Sequence, residues 1–243
     1  MLVAISVIMI SCSTRNAMLT TKQNVTVDER FARALYYYQT SKYSDAEGDL
    51  KVIIYDYPLT SYAIEAQLLM ADINYARDDF EEAASYYTTF WSLYPSHPSA
   101  PYALFQKGMS YLNKVLLIDR DQTYTRTAMF SFSDILTYYP ESIYAERADK
   151  VVKLLFTRLA KKELEVGKFY LKTKNYSGAL LRFKSVMSEY PDAGLNDQIL
   201  YYVGKTYIKL DEKELAIQAF ETLLESYPES VVAEKAKEIL SGG

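Results

Sequence analysis

Residues 216–228 read AIQAFETLLESYP, and residues 179–191 read ALLRFKSVMSEYP. In each, an Ala stands twelve positions before the proline of a Tyr-Pro pair, a Phe eight before it and a long apolar residue four before it. The same frame recurs ahead of Pro58, Pro95 and Pro140. Its small residues are Ala46, Ala83, Ala128, Ala179 and Ala216, followed by the bulky Leu50, Tyr87, Phe132, Phe183 and Phe220 and then by Ile54, Trp91, Leu136, Met187 and Leu224. Steps of four keep these side chains on one face of a helix, and the proline stops that helix. Five copies agreeing at four positions make a repeat.

A second helix precedes each Ala and is marked by a small residue: Ala34, Ala71, Gly108, Gly167 or Gly204. The distance from this residue to the following Ala is 12, 12, 20, 12 and 12 positions, and the proline-to-proline periods are 37, 45, 51 and 37. One 37-residue unit with insertions of 8 and 14 explains both series. Small residues let two antiparallel helices approach closely while bulky ones fill the seam between them. The unit resembles the tetratricopeptide repeat. It departs from that consensus five positions before each proline, where Ile53, Phe90, Ile135, Val186 and Leu223 replace a small Ala and predict a bulkier interface.

The expected fold is therefore an all-α, tetratricopeptide-like α-solenoid of five helical hairpins, with a capping helix near Val231–Leu240. The first insertion lies between Leu112 and Ala128, where polar and β-branched residues suggest a loop. The second follows Pro140 and amounts to about four helical turns. No Pro and a single Gly interrupt residues 142–173, so a long helix, or two nearly collinear ones, should link repeats 3 and 4. This divides the repeats into an N-terminal group, 27–140, and a C-terminal group with the linking helix and cap, 141–243.

Ahead of the repeats, residues 1–10 read MLVAISVIMI, about 15 Å as a helix and too short to cross a bilayer. The run matches the apolar centre of a secretory signal without the usual preceding positive residues, so the natural start is expected upstream of Met1. Met9-Ile10-Ser11-Cys12-Ser13 resembles a bacterial lipoprotein cleavage box. That resemblance implies a signal peptide over 1–11, a lipidated Cys12 and a polar tether over 12–26. Acyl chains on Cys12 would hold the protein at a membrane without a spanning helix, and Ser13 after the Cys resembles lipoproteins sorted to the outer membrane.

Chemistry has little material in this chain. It has 243 residues with one His and one Cys, so no Cys/His zinc site can be assembled. There is no Gly-rich phosphate loop and no nucleophile elbow, so neither a cofactor nor a metal is expected. His97 sits in a Pro-Ser-His-Pro turn and reads as a plain surface residue. The acidic pairs Asp78-Asp79 and Glu81-Glu82 open a helix, where they suit its dipole without acid–base work. The chain reads as a protein without catalytic activity. Its net charge of -4 also disfavours nucleic acid as a partner.

Two surfaces are candidates for binding. Residues 147–174 hold 9 basic and 3 acidic side chains, against 5 basic and 12 acidic over residues 28–95. The basic run is either a solvated helix face or a docking surface for an acidic partner. The second candidate is an apolar stripe three before and four after each small residue, which is either ordinary core or the lining of a groove. In the tetratricopeptide arrangement such positions line the concave face. In the N-terminal repeats the stripe with its neighbours offers Phe31, Leu35, Tyr38, Leu68, Tyr75 and Phe105, suited to an extended peptide with aromatic side chains.

The phrases TAMFSFSDILTYYPESIYAERA, FTRLAKKELEVGKFY and ALLRFKSVM, with the lipobox and five repeats, resemble the BamD/ComL family of outer-membrane assembly lipoproteins over about residues 27–235. The resemblance implies a periplasm-facing scaffold in the folding of β-barrel proteins into the outer membrane. Its partners would be a POTRA-domain barrel assembly protein, other assembly lipoproteins and unfolded outer-membrane β-barrel substrates. It implies docking of the barrel subunit by the C-terminal repeats through Arg182, with Lys161, Lys162 and Lys168 of the basic helix beside it. The N-terminal repeats would receive the aromatic-rich targeting strand of substrates. Two other readings stay open: a periplasmic repeat-containing adaptor lipoprotein in cell-envelope division or cell-wall maintenance, and an accessory subunit of an enzyme.

Overall fold

A computed structural model describes residues 25–117 and 122–242. Among the described residues there are eleven α-helices and no strand. They are α1 (Val27–Gln39), α2 (Tyr43–Asp56), α3 (Ser61–Ala76), α4 (Phe80–Leu93), α5 (Ala100–Leu117), α6 (Gln122–Tyr138), α7 (Ala145–Lys172), α8 (Tyr176–Glu189), α9 (Asn196–Lys209), α10 (Lys213–Ser226) and α11 (Ala233–Gly242). The five predicted hairpins are the successive pairs from α1–α2 to α9–α10, and α11 is the cap.

The repeat positions act as their spacing predicts. A residue before proline is pushed out of the helical region, and Tyr57, Tyr94, Tyr190 and Tyr227 each end a helix at φ between -129° and -138° and ψ between 45° and 55°. Each, and Tyr139 likewise, still donates its N–H to the carbonyl four residues back. The carbonyl of each of these five tyrosines then accepts an N–H from three residues on, so one turn is reused after every hairpin. Inside four hairpins the chain reverses through a left-handed residue, Ser41, Asp78, Lys174 or Asp211, with φ of 58–64°. The next residue in each case donates back to a carbonyl five positions earlier, closing the end of the first helix.

The seam explains the small residues. A Cβ added to Gly108 or Gly204 would lie 2.7 Å from the ring of Phe132 or Phe220, and one on Gly167 would meet Phe183 closer still. All three rings are fully buried. Ile53, Phe90, Ile135, Val186 and Leu223 are fully buried as well, so the bulky departure from the consensus does build the packing between helices.

Among the described residues, both insertions extend helices. The loop expected between Leu112 and Ala128 is a correction: α5 runs on to Leu117 and α6 begins at Gln122. Eight residues are about two turns, and they lengthen the two helices to 18 and 17 residues where α8 and α10 have 14. Thr127 is accommodated by donating its hydroxyl to the Thr123 carbonyl at 2.9 Å. The second insertion makes α7 one continuous helix of 28 residues.

The chain divides into two compact units at Ile73 and Asn74, within α3. In the first, α1, α2 and the start of α3 close over Ala34, Ala46, Leu50, Ile53, Ala66 and Ile73. In the second, neighbours pack in chain order from α4 to α11. One of its clusters joins Leu104, Phe132 and Ile135 to Ala148 and Leu155, so the core runs uninterrupted past Pro140. The division of the repeats at residue 140 therefore does not coincide with the compact units.

Candidate functional site

Part of the positive charge of the basic helix α7 is matched by carboxylates of the same helix. Lys150 and Lys153 pair with Glu146 and Asp149 one turn earlier, at 2.6 and 2.8 Å, on an exposed stretch. Lys161 lines a surface groove of about 430 Å³ with Leu112, Leu154 and Arg158. Lys168, two turns on, bonds Glu165 at 2.7 Å and lies 5.0 Å from the centroid of the Tyr202 ring on α9. Its ammonium pKa is raised on balance, burial opposing and the bonds to Glu165 and Tyr202 outweighing it. Lys162 is exposed.

Arg182 points elsewhere. It rises from α8 to donate to Glu163 of α7 at 2.9 Å. Glu163 is about 200° round the helix from Lys161, so Arg182 is separated from the Lys161–Lys168 face. The same carboxylate faces a second guanidinium, Arg126 of α6, at 3.9 Å. Arg126 in turn donates to the hydroxyl of the buried Tyr190 at 3.1 Å. Sequence reasoning singled out Arg182 and missed Arg126 and Glu163.

The aromatic stripe divides between the units. In the first, the Phe31 ring lies 5.5 Å from Tyr62 and the Tyr38 ring 6.0 Å from Tyr43. Burial pushes the Tyr38 phenol upward, and the charge of Asp72 adds to it. Phe31, Leu35 and Tyr38 keep partial exposure, whereas Leu68 is buried. In the second unit Tyr75 stands edge-on to Phe80, and its hydroxyl accepts the amide N–H of Asn113 at 2.9 Å. Phe105 is core: its ring meets Phe132 at 5.4 Å and Tyr144 at 5.2 Å, with the Arg147 guanidinium 5.0 Å from its centroid. Leu68 and Phe105 thus leave Phe31, Leu35, Tyr38 and Tyr75 as the accessible part of the stripe.

Cys12 and the rest of the expected signal and tether, up to residue 24, lie outside the described residues. His97 is half-buried, with its ring 5.4 Å from Phe90 and its Nδ1 accepting the Ser99 N–H at 3.2 Å, so it fastens the turn after α4 rather than simply facing solvent. Among the described residues no helix is long and apolar enough to cross a membrane.

The sequence profile of the YfiO family, described as an outer membrane lipoprotein, matches residues 23–216. The chain belongs to the YfiO family. The match takes in all three residues of the Arg126–Glu163–Arg182 cluster. Two relatives share the name outer membrane protein assembly factor BamD. That of Rickettsia prowazekii is 31% identical over 160 residues, covering 66% of this chain and 64% of the relative. That of Caulobacter vibrioides is 29% identical over 145 residues, covering 60% and 48%. The matched part of this YfiO chain thus spans about half to two-thirds of these relatives. Among solved structures, the TPR2AB domain of yeast Sti1 aligns with 88% of this chain and 84% of its own, at 14% identity and a TM-score of 0.47.

Proposed function

We propose that this YfiO-family chain is a non-catalytic scaffold in the assembly of β-barrel proteins into the outer membrane. The observation that carries the reading is the family match over most of the chain, together with relatives named as outer membrane protein assembly factors. Lipid on Cys12 anchors it, facing the periplasm. Its C-terminal repeats dock the POTRA-bearing barrel subunit through Arg182, and Lys161, Lys162 and Lys168 contribute longer-range attraction from α7. Its N-terminal repeats take up unfolded barrel substrates by their aromatic targeting segments, on Phe31, Leu35 and Tyr38 of the first unit. Rings with one polar end suit that ligand, because they stack on aromatic side chains and bond a peptide backbone.

The test is affinity purification of the C-terminally tagged protein from detergent-solubilised membranes. Recovery of a POTRA-bearing barrel protein in near-equal amount is the expected result. Division or peptidoglycan proteins in its place would overturn the reading in favour of an envelope adaptor. For the substrate surface, Tyr38→Ala should weaken binding of a peptide with a C-terminal aromatic barrel strand several-fold. Unchanged binding would return Tyr38 to a purely structural role.

A further inference from the structure

Among the described residues, the ion cluster of α6, α7 and α8 sets one carboxylate against two guanidiniums. Glu163 is the single carboxylate between two guanidiniums, bonded to Arg182 at 2.9 Å and 3.9 Å from Arg126. Its side chain is 20% exposed, while those of Arg126 and Arg182 are each 42% exposed. The acid therefore lies beneath and the two bases open outward. Each guanidinium carries five N–H donors in a fixed planar fork, and the bonds to Glu163 and Tyr190 use a minority of them. Arg126 is fixed from below by Tyr190, which is buried and packs edge-on against Phe156 at 5.0 Å. The neighbouring lysines differ: Lys150 and Lys153 each already face one carboxylate and are 70% and 75% exposed, where solvent screens the pair.

We infer that Arg126 and Arg182 are the two arms of one carboxylate-binding site, with Glu163 as the positioning residue that braces them and a carboxylate of a protein partner completing the cluster. The inference rests on the reading that the C-terminal repeats dock the barrel subunit through Arg182, and it adds the second arm and the brace. An incoming carboxylate need not displace Glu163, because two acids and two bases balance. Its oxygens meet two guanidiniums already held by Tyr190 and Glu163, so less side-chain ordering is left for the binding step.

The probe is the purified periplasmic region of the POTRA-bearing assembly protein, titrated against the full chain across a salt series. Arg126→Gln and Arg182→Gln should each raise Kd about tenfold, the range between a rim pair and a fully desolvated one. Each should also flatten the salt dependence, which a merely structural loss would not do. The double variant should lose less than the product of the two, because both arms hold one group. Lys150→Gln should bind as the parent does. If Arg126→Gln matches the parent while Arg182→Gln weakens binding, the two-arm site is overturned and the docking reading stands. If neither variant changes Kd, docking through Arg182 fails and the inference fails with it. Should Arg126→Gln not fold, Arg126→Lys decides: it keeps the charge and loses the fork, so parental affinity would overturn the site and an intermediate Kd would support it.

Discussion

Gly204 lies so close beneath the Phe220 ring that the choice of one residue constrains the other. Replacing glycine by alanine in a helix interior ordinarily gains about 1 kcal/mol. Here the new Cβ would lie 2.7 Å from a fully buried ring, and overpacking of that kind costs about 1–3 kcal/mol. The steric term wins, so Gly204→Ala is expected to lower stability by up to ~2 kcal/mol in a urea titration. The first repeat shows how the conflict is relieved, because Ala34 and Leu50 occupy the equivalent positions and both are fully buried. Gly204→Ala with Phe220→Leu should therefore be more stable than the sum of the single changes predicts. Strict additivity would show that the ring has room to move.

At the scale of elements, Glu81 in the first turn of α4 ties down its neighbours. It accepts the Tyr124 hydroxyl of α6 at 2.6 Å and the Lys114 ammonium of α5 at 3.0 Å. The Tyr124 hydrogen bond, then Lys114, holds its carboxyl below the ordinary glutamate range. A carboxyl lowered by folding contributes stability that is present above its unfolded pKa and lost as pH falls through the folded value. Glu81→Gln should remove that part of the acid sensitivity, so the thermal midpoints of parent and variant should converge as pH drops below the carboxylate range. Parallel curves down to that range would mean that the contact is idle in solution. The helix dipole alone explained this acidic turn in the sequence, since α5 and α6 are far from it along the chain. The same limit governs the rest. Hairpins, seams and Tyr-Pro stops were legible because each is set by spacing within 37 residues. The helical insertion after Leu112 was misread because Thr123 and Thr127 look like loop residues until their backbone bonds are seen. Arg182 was found by resemblance, but its companions come from other helices, and the Arg126–Tyr190 bond alone spans 64 positions.

Over the whole molecule, the two units differ in the material of their cores. The main cluster of the first has nine buried residues, of which Ala34, Ala46, Ala63 and Ala66 are alanines and none is aromatic. The buried Asp49 of this unit is held by Arg30 and Arg33, and the cost of desolvating the charges offsets much of what such a pair adds to stability. The second unit has Tyr87, Phe90, Phe132, Phe183 and Phe220 fully buried. Each such ring removes about 150–250 Å² from water, worth several kcal/mol at ~25 cal/mol per Å². In a chain of repeats each packed mainly on its neighbours, a weaker local core opens by itself at lower free energy. The amides of α1 and α2 are therefore expected to exchange with solvent at lower free energy than those of α8 and α9, in native-state hydrogen exchange on the intact protein. Equal protection in both would show that the alanine-rich core is no weaker. On the proposed function that order would matter, because Phe31, Leu35 and Tyr38 lie in the unit with the alanine-rich core, where an unfolded substrate segment would find side chains able to repack around it. Arg126, Glu163 and Arg182 lie in the unit with the aromatic core, where the proposed carboxylate site would keep its geometry before a partner arrived.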